Sequence, residues 1–368
     1  MSAPSTTEAV RLDPIEDAVR VLREGGAIVA VDDEGRENEG DLIFAAELAT
    51  PELTAFMVRH TSGFICVGME SEDLTRLLLP PMTAVNEDRK GTAYRVTVDA
   101  TAVTSTGISA EDRAITMRAL ASASTSPHQL SRPGHVMPLN AVPGGVLRRP
   151  GHTEAAVDLM KMAGLRPAGA LCEMVNDDGT MMDAADCRAF CDEHGIPLVS
   201  IADLIRHRLA NERLVERAAD AALPTAYGAF RSIGYRSVVD GSEHVALVCG
   251  EIGDGEDVLV RVHAECLNGD VFGSTACSCR SRLHASMSMV EEAGRGVVVY
   301  VRPQASAITA RHGAGSGDTG TDVLDYGTGS QILADLGVRS MVLLTAHPER
   351  SYLLEPFGLS ISSTRRLD

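Results

Sequence analysis

Tryptophan is absent from the 368 residues, and aromatic side chains make up only 4% of the chain. Base-stacking platforms of the kind used on single-stranded nucleic acid are therefore not expected. Cations are scarce too: 33 Lys and Arg stand against 51 Asp and Glu, a formal net charge of −18. Long-range repulsion opposes non-specific binding to nucleic acid or to an anionic membrane. A small phosphorylated molecule is not excluded, because a few arginines and one helix N-terminus can hold a phosphate. No apolar run reaches the length of a bilayer span. The opening MSAPSTTEAVRLDP lacks a basic stretch followed by an apolar one, so no signal peptide is expected. Eight cysteines without export signals read as thiols or metal ligands rather than a disulfide framework, and the chain reads as cytoplasmic.

A hydrophobic fraction of 44% supplies two cores, and the length favours two domains. Asp13-Pro14 predicts a helix start, with Asp as cap, that ends at Gly25-Gly26. AIVAV (27–31) and LIFAAE (42–47) are strand-length runs, and Thr50-Pro51 caps a second helix. Strands and helices alternate to residue 205, which predicts an α/β layered domain over 1–205. RHRLANERLVERAADAAL (206–223) is charged and helix-prone with no apolar stripe, and reads as a connector over 206–222. A smaller α+β domain is expected over 223–368, with hairpin-linked strands, further strands at VVVYV (297–301) and SMVLLT (340–345), and a helix ending at Gly337. RHGAGSGDTGTD (311–322) reads as a flexible loop.

Four stretches of the first half carry chemistry. DDEGRENEGD (32–41) packs six acidic residues into ten, with Arg36 as the only cation. Alone it is equally well a solvated acidic turn. As a site it suits Mg²⁺ or Mn²⁺, which take few carboxylates and leave positions open for substrate oxygens. In LRRPGHTEAAVDLMKMAG (147–164), Thr153 opens an amphipathic helix with Ala156, Leu159 and Met160 inward. Its first N–H groups, the Thr153 hydroxyl and an arginine could hold a phosphate. His152 could ligate a metal or be a plain cap. His135 lies in SRPGHVMPL (131–139). Glu173 of LCEMVNDDGTM (171–181) is either a partly buried acid suited to proton transfer or an edge-strand residue facing solvent.

Together with TSTGISAEDR (104–113), these motifs make residues 10–205 resemble 3,4-dihydroxy-2-butanone 4-phosphate synthase of riboflavin biosynthesis. The resemblance implies conversion of ribulose 5-phosphate to the four-carbon product and formate, with a divalent metal and no organic cofactor, in a homodimer. It implies Glu37 and His152 as Mg²⁺ or Mn²⁺ ligands, and Arg36 and Asp41 as contacts to the sugar. Arg149, Gly151 and Thr153 would hold the phosphate, and His135 and Glu173 would serve proton transfer. The substrate-binding set is then Arg36, Glu37, Asp41, Arg149, Gly151, His152, Thr153 and Glu173. Pro150 departs from the family, which commonly has Gly there. It removes one backbone donor and should be tolerated.

In the second half, Cys266, Cys277 and Cys279 fall at C-x10-C-x-C. Three ligands fall short of a closed structural zinc site and leave a fourth position for water. Cys187 and Cys191, four residues apart beside Phe190, read instead as core packing. The segment from 210 onward resembles GTP cyclohydrolase II, in which three such cysteines bind the Zn²⁺ whose water attacks GTP. The likeness is uneven. ACSCR (276–280) stands where the family has RCDCG. In YVRPQASAITA (300–310), Gln304, Ala305 and Ser306 replace the Glu, Gly and Arg that embrace the triphosphate. DVLDY (322–326) keeps Asp322 but has Leu324 at the position of the catalytic Arg, and TAHPER (345–350) leaves only Arg350 of a basic run. A triphosphate needs cationic or backbone donors. The expectation is therefore a second half without cyclohydrolase activity and a vestigial zinc triad. The alternatives are an enzyme that also opens GTP, or a structural or regulatory module. For the whole chain, a catalytically dead sugar-phosphate sensor is the non-enzymatic alternative.

Overall fold

The computed structural model describes residues 10–33, 36–302, 322–345 and 359–367, leaving aside the side chains of 322–326. The chain divides into two compact units, Met1–His207 and Arg208–Asp368. Each is built on a seven-stranded sheet containing both parallel and antiparallel pairs, so both halves have the layered α/β character expected.

The first unit runs α1 (Ile15–Arg23), β1 (Ala27–Val31), β2 (Gly40–Ala45), α2 (Pro51–His60), β3 (Cys66–Met69), α3 (Ser71–Arg76), β4 (Val98–Ala100), α4 (Ala110–Ala121), β5 (Leu130–Asn140), α5 (His152–Met162), β6 (Ala168–Glu173), α6 (Ala184–His194), β7 (Leu198–Ser200) and the start of α7 (Ile201–Asn211), whose last four residues belong to the second. The sheet order is β4-β5-β3-β6-β2-β1-β7. The central strands β1, β2 and β3 are buried along their whole length, which is why they read as continuous apolar runs rather than alternating ones.

Thr50 caps α2 as expected, its side chain accepting from the Leu53 N–H. At α1 the expectation shifts by one residue. Pro14 takes the cap position, and the Asp13 carboxylate turns away to accept from Leu198 N at 2.8 Å and from Arg188 at 2.7 Å. Helix α5 also differs from its predicted amphipathic form, since every residue from His152 to Met160 is buried. Small residues allow this: a Cβ on Gly169 of β6 would lie 2.8 Å from the Ala156 Cβ, so helix and sheet approach closely.

The second unit runs β8 (Val215–Thr225), β9 (Gly228–Ser237), β10 (Glu243–Cys249), β11 (Val258–Ala264), α8 (Cys279–Glu292), β12 (Gly296–Val301), α9 (Asp322–Asp335), β13 (Ser340–Thr345) and β14 (Ser360–Arg366). Its sheet order is β14-β13-β11-β12-β10-β9-β8. The expected helical connector over 206–222 is corrected. Helix α7 ends at Asn211, and from Val215 the chain is an edge strand paired with β9 from Val215↔Ser237 to Thr225↔Gly228. The Ala- and Arg-rich composition favours helix locally. With no apolar stripe to bury, a helix gains nothing there from packing, whereas β9 offers a long ladder of hydrogen bonds, broken only by a register shift between Arg217 and Ala219. Of the predicted loop at 311–322, residues 311–321 lie outside the described residues, and Asp322 is the first residue of α9.

Cys187 and Cys191 are both fully buried in the first core, as expected for packing thiols, and burial pushes each thiol up to about 12. A thiol reagent at neutral pH should therefore leave both unmodified in the folded chain and label them on unfolding. Cys187→Ser should lower stability by about 1–3 kcal/mol in urea titration, because a polar hydroxyl replaces the thiol in the apolar core, facing only the Met182 carbonyl that the thiol now meets.

Candidate active site in the first domain and a cysteine triad in the second

The register of β2 is the starting point. β2 pairs with β1 on one side and β6 on the other, so Asp41 stands directly across the ladder from Glu173. The acidic loop lies between β1 and β2 and turns back on Asp32. One Asp32 oxygen accepts from Glu39 N at 3.0 Å; the other takes Glu37 N at 3.2 Å and Arg36 Nη1 at 2.8 Å. Arg36 Nη1 also donates to Glu37 at 2.6 Å. Burial weakens the Arg36 charge, but Asp32 and Glu37 outweigh it and hold the guanidinium firmly protonated. Asp32 is thus the hub of the loop, a role the sequence did not single out.

Helix α5 brings its first residue to the same place. His152 is 6% exposed, and its Nδ1 lies 3.9 Å from Glu37 and 3.7 Å from Asp41. Burial lowers its pKa, so the neutral, metal-binding form is favoured. Asp41, 4% exposed, is driven well above the usual carboxylate range by burial and then by Glu173 and the loop carboxylates. Glu39 is raised by the same causes, burial first. Among the described residues, Asp41 Oδ1 and His152 Nε2 are buried with no hydrogen-bond partner. Asp32, Glu37 and His152 offer ligand atoms within 4.8 Å of one another. Orphaned polar atoms, a neutral imidazole and two carboxylates are what a small oxygen-preferring dication requires, so these residues fit such an ion.

Gly151 caps α5 with φ −114°, a conformation open to any residue, so its role is space. A Cβ there would lie 2.5 Å from Arg149 Nη1 and 2.9 Å from both Arg36 Nη2 and Glu154 Oε2. Two guanidinium groups therefore converge on a helix N-terminus. Arg149 is set by the buried Glu154 at 2.6 Å, the Lys90 carbonyl at 3.3 Å and the Thr92 hydroxyl at 3.2 Å. Lys90 in turn donates to the Arg36 carbonyl. A cleft of about 740 Å³ is lined by Arg36, Glu37, Asp41, Arg149, His152, Thr153 and Glu173, together with Glu39, Cys66 and the 88–92 loop. Gly151 adjoins it through Arg149 and Arg36.

Glu173 accepts from the Ser62 hydroxyl at 2.8 Å. His135 does not line this cleft. It sits on β5, its Nδ1 2.7 Å from Asp99 Oδ2 and its backbone N–H donating to Asp99 Oδ1 at 2.9 Å. The TSTGISAEDR loop lies against this pair. Buried Asp112 accepts from the Ser105 hydroxyl, Thr104 N at 2.8 Å and Gly107 N at 3.1 Å, bonds that hold its carboxyl far below the usual range. Asp99, Glu154, Ser62 and Lys90 each hold a candidate site residue, and sequence reading missed them. Each acts across strands or loops 36 to 111 positions apart, except Glu154, which the helix pattern concealed as an ordinary first-turn acid.

In the second unit, Cys266, Cys277 and Cys279 place their sulfurs within 4.8 Å of one another, with 3.8 Å between the first two. Gly269 donates its N–H to the Cys266 sulfur, and a Cβ on it would meet Cys277 Sγ at 2.7 Å. Asp270, its side chain sheltered though the residue is only half-buried, supports Cys266, accepting from Cys266 N at 2.9 Å, His263 Nε2 at 3.0 Å and the Tyr300 hydroxyl at 2.9 Å. The triad can hold a zinc ion with one position open. Gln304, Ala305, Ser306 and Arg350 lie outside the described residues, and Leu324 is described only as part of α9.

Comparison with known proteins follows this division. Residues 16–207 match the family model for 3,4-dihydroxy-2-butanone 4-phosphate synthase, and residues 216–366 match that for GTP cyclohydrolase II. A riboflavin biosynthesis protein RibBA from Salinispora arenicola is 55% identical over 95% of this chain and 87% of its own. Its counterpart from Nocardia farcinica is 55% identical over 96% and 90%. Among solved structures, RibBX, a two-domain 3,4-dihydroxy-2-butanone 4-phosphate synthase from A. baumannii, superposes with a TM-score of 0.80 at 35% identity, covering 97% of this chain and all of that one. A synthase in complex with two magnesium ions covers 53% of this chain and 96% of that one at a TM-score of 0.53 and 45% identity. No described helix is long and apolar enough to cross a membrane.

Gly151→Ala should leave the fold intact, because the atoms it meets are the ends of flexible side chains. It should displace Arg149 and Arg36 and weaken sugar-phosphate binding by about tenfold or more, on the order of 1.4 kcal/mol. Calorimetric titration beside a thermal melt checks both halves of this expectation.

Proposed function

The chain belongs to the riboflavin-biosynthesis proteins that join a 3,4-dihydroxy-2-butanone 4-phosphate synthase domain to a GTP cyclohydrolase II domain, and from that premise we propose how its residues divide the work. The first domain is a synthase, and its family implies ribulose 5-phosphate as substrate. The observation that carries the site assignment is the convergence of Glu37, His152, Asp41 and Glu173 beside the N-terminus of α5. Glu37 and His152 would hold Mg²⁺ or Mn²⁺. That ion, when bound, polarises the ketone and the neighbouring hydroxyl oxygens of the sugar.

The chain's own residues do the rest. The first N–H groups of α5, with Arg149, Gly151 and Thr153, hold the phosphate end. Glu154 and Thr92 keep the Arg149 fork aimed, which favours a planar, bidentate grip. Arg36 and Asp41 orient the sugar hydroxyls. Glu173, steadied by Ser62, would exchange protons with the carbon skeleton as it loses water, rearranges and releases formate, and the family resemblance implies the same for His135, which lies outside the cleft of its own chain. The working unit is proposed to be a homodimer, as the family resemblance implies.

Two readings apply to the second domain. Similarity to RibBA proteins along nearly the whole chain favours a bifunctional enzyme, with GTP opened at a zinc ion on Cys266, Cys277 and Cys279. Loss of that activity, with the domain kept as a structural or regulatory module, is favoured by one set of observations. Gln304, Ala305, Ser306 and Leu324 replace the Glu, Gly and two Arg positions that the family resemblance assigns to the triphosphate and to catalysis.

The full chain with Mg²⁺ should release formate from ribulose 5-phosphate, and Glu173→Ala should lower turnover by about 100-fold or more. Wild-type protein that is inactive with Mg²⁺ and with Mn²⁺ would contradict the assignment. With Zn²⁺ and GTP, release of formate and pyrophosphate establishes the bifunctional reading, and their absence establishes the loss.

A further inference from the structure

We propose that Asp99 is a positioning residue that holds His135 as its Nδ1–H tautomer, leaving Nε2 as the nitrogen that exchanges protons with substrate. This rests on the reading of His135 as a proton-transfer group. One carboxylate grips the residue twice: Oδ1 accepts the His135 backbone N–H at 2.9 Å and Oδ2 meets the ring Nδ1 at 2.7 Å. A carboxylate can only accept, so the proton between them belongs to Nδ1. Asp99 is nearly buried, with its side chain 9% exposed, whereas the His135 side chain is 39% exposed. The orienting bond is sheltered and the working edge of the ring is open.

The surrounding backbone is shaped around this pair. The β4–β5 ladder shifts register between Val98 and Asp99. Gly134, just before the histidine, runs so close to β4 that a Cβ would lie 2.0 Å from the Val98 carbonyl carbon. Gly107 closes the other side at φ +98°, where a Cβ would lie 2.2 Å from Asp99 Oδ2 and 2.7 Å from His135 Nδ1. Asp112 fixes that loop through Thr104, Ser105 and Gly107. The TSTGISAEDR motif thereby packs bare backbone onto the carboxylate–imidazole bond and excludes water from it.

Protons balance across the cycle. When Nε2 takes a proton from the sugar, the imidazolium keeps its Nδ1–H bond and Asp99 stays ionised. When Nε2 returns the proton, the pair regains its first state. Asp99 itself never takes the proton.

Asp99→Asn tests this with almost no change of shape. The His135 backbone N–H requires an acceptor, which turns the amide oxygen toward it and the NH₂ toward the ring. Nδ1 must then accept, and the proton moves to Nε2, the wrong tautomer for a base. In the full chain with Mg²⁺, kcat for ribulose 5-phosphate should fall by about 10²–10⁴, with KM changed less than about threefold. Imidazole ¹⁵N NMR should show Nδ1–H for wild type and Nε2–H for the variant. Glu173→Ala should lose activity with the wild-type tautomer retained. Wild-type turnover in Asp99→Asn, or lost turnover with Nδ1–H unchanged, overturns the proposal. If the variant fails to fold, an Nε2–H tautomer in wild type overturns it alone, and Nδ1–H there supports it. Full turnover in His135→Ala instead overturns the reading of His135 on which it rests.

Discussion

An excess of negative charge around one buried imidazole governs the first domain. Asp32, Glu37, Glu39, Asp41 and Glu173 act electrostatically on one another around His152, and Arg36 is the only cation of the loop. Such an arrangement costs stability unless the charges are paired or coordinate an ion. Two rigid features enforce it nonetheless. The β2–β6 register sets Asp41 opposite Glu173, and α5, buried from His152 to Met160, cannot withdraw His152 without unpacking its core. A dication held by Glu37 and His152, as proposed above, would relieve the repulsion among these carboxylates.

Around that centre, acidic side chains serve as clamps on backbone as well as ligands. Asp32 folds the acidic loop through the N–H groups of Glu37 and Glu39, and Asp112 folds the 104–107 segment. Asp99 takes the His135 N–H, and Glu154 takes Val142 N while aiming Arg149. Asp270 does the same beneath the cysteine triad through Cys266 N. Each clamp converts a flexible connection into a fixed presentation of one functional group. The acidic composition therefore reflects local architecture as much as solubility.

Much of this is legible in the sequence. The strand AIVAV, the Thr50 cap and the buried Cys187–Cys191 pair follow from local pattern, and the structure contains them; the strand expected at LIFAAE (42–47) is shifted to Gly40–Ala45, with Ala46 and Glu47 in a short 3-10 helix. The acidic loop and the residues around His152 are visible as motifs. What escapes detection depends on pairing between distant segments. Asp99 meets His135 only through the shifted β4–β5 register, and Ser62 reaches Glu173 across the sheet. Residues 215–225 have helical composition, yet they form a strand because β9 supplies the partners. Helix α5 reads as amphipathic, but close packing through Gly169 leaves it no exposed face over its first turns. For the second domain, the cysteine spacing locates the ligand triad. Its status as an active hydrolase rests on 304–306 and 324, which lie beyond what the structure describes in side-chain terms.

The most direct test is the thermal stability of metal-free full-length protein titrated with Mg²⁺ and with Mn²⁺ at neutral pH. If the buried carboxylate–imidazole centre is held ready for a dication, the melting temperature of wild type rises with cation concentration, as binding to the folded state alone requires. The rise disappears in Glu37→Gln and in His152→Ala. An unchanged melting temperature in wild type, or the same rise in both variants, contradicts the account.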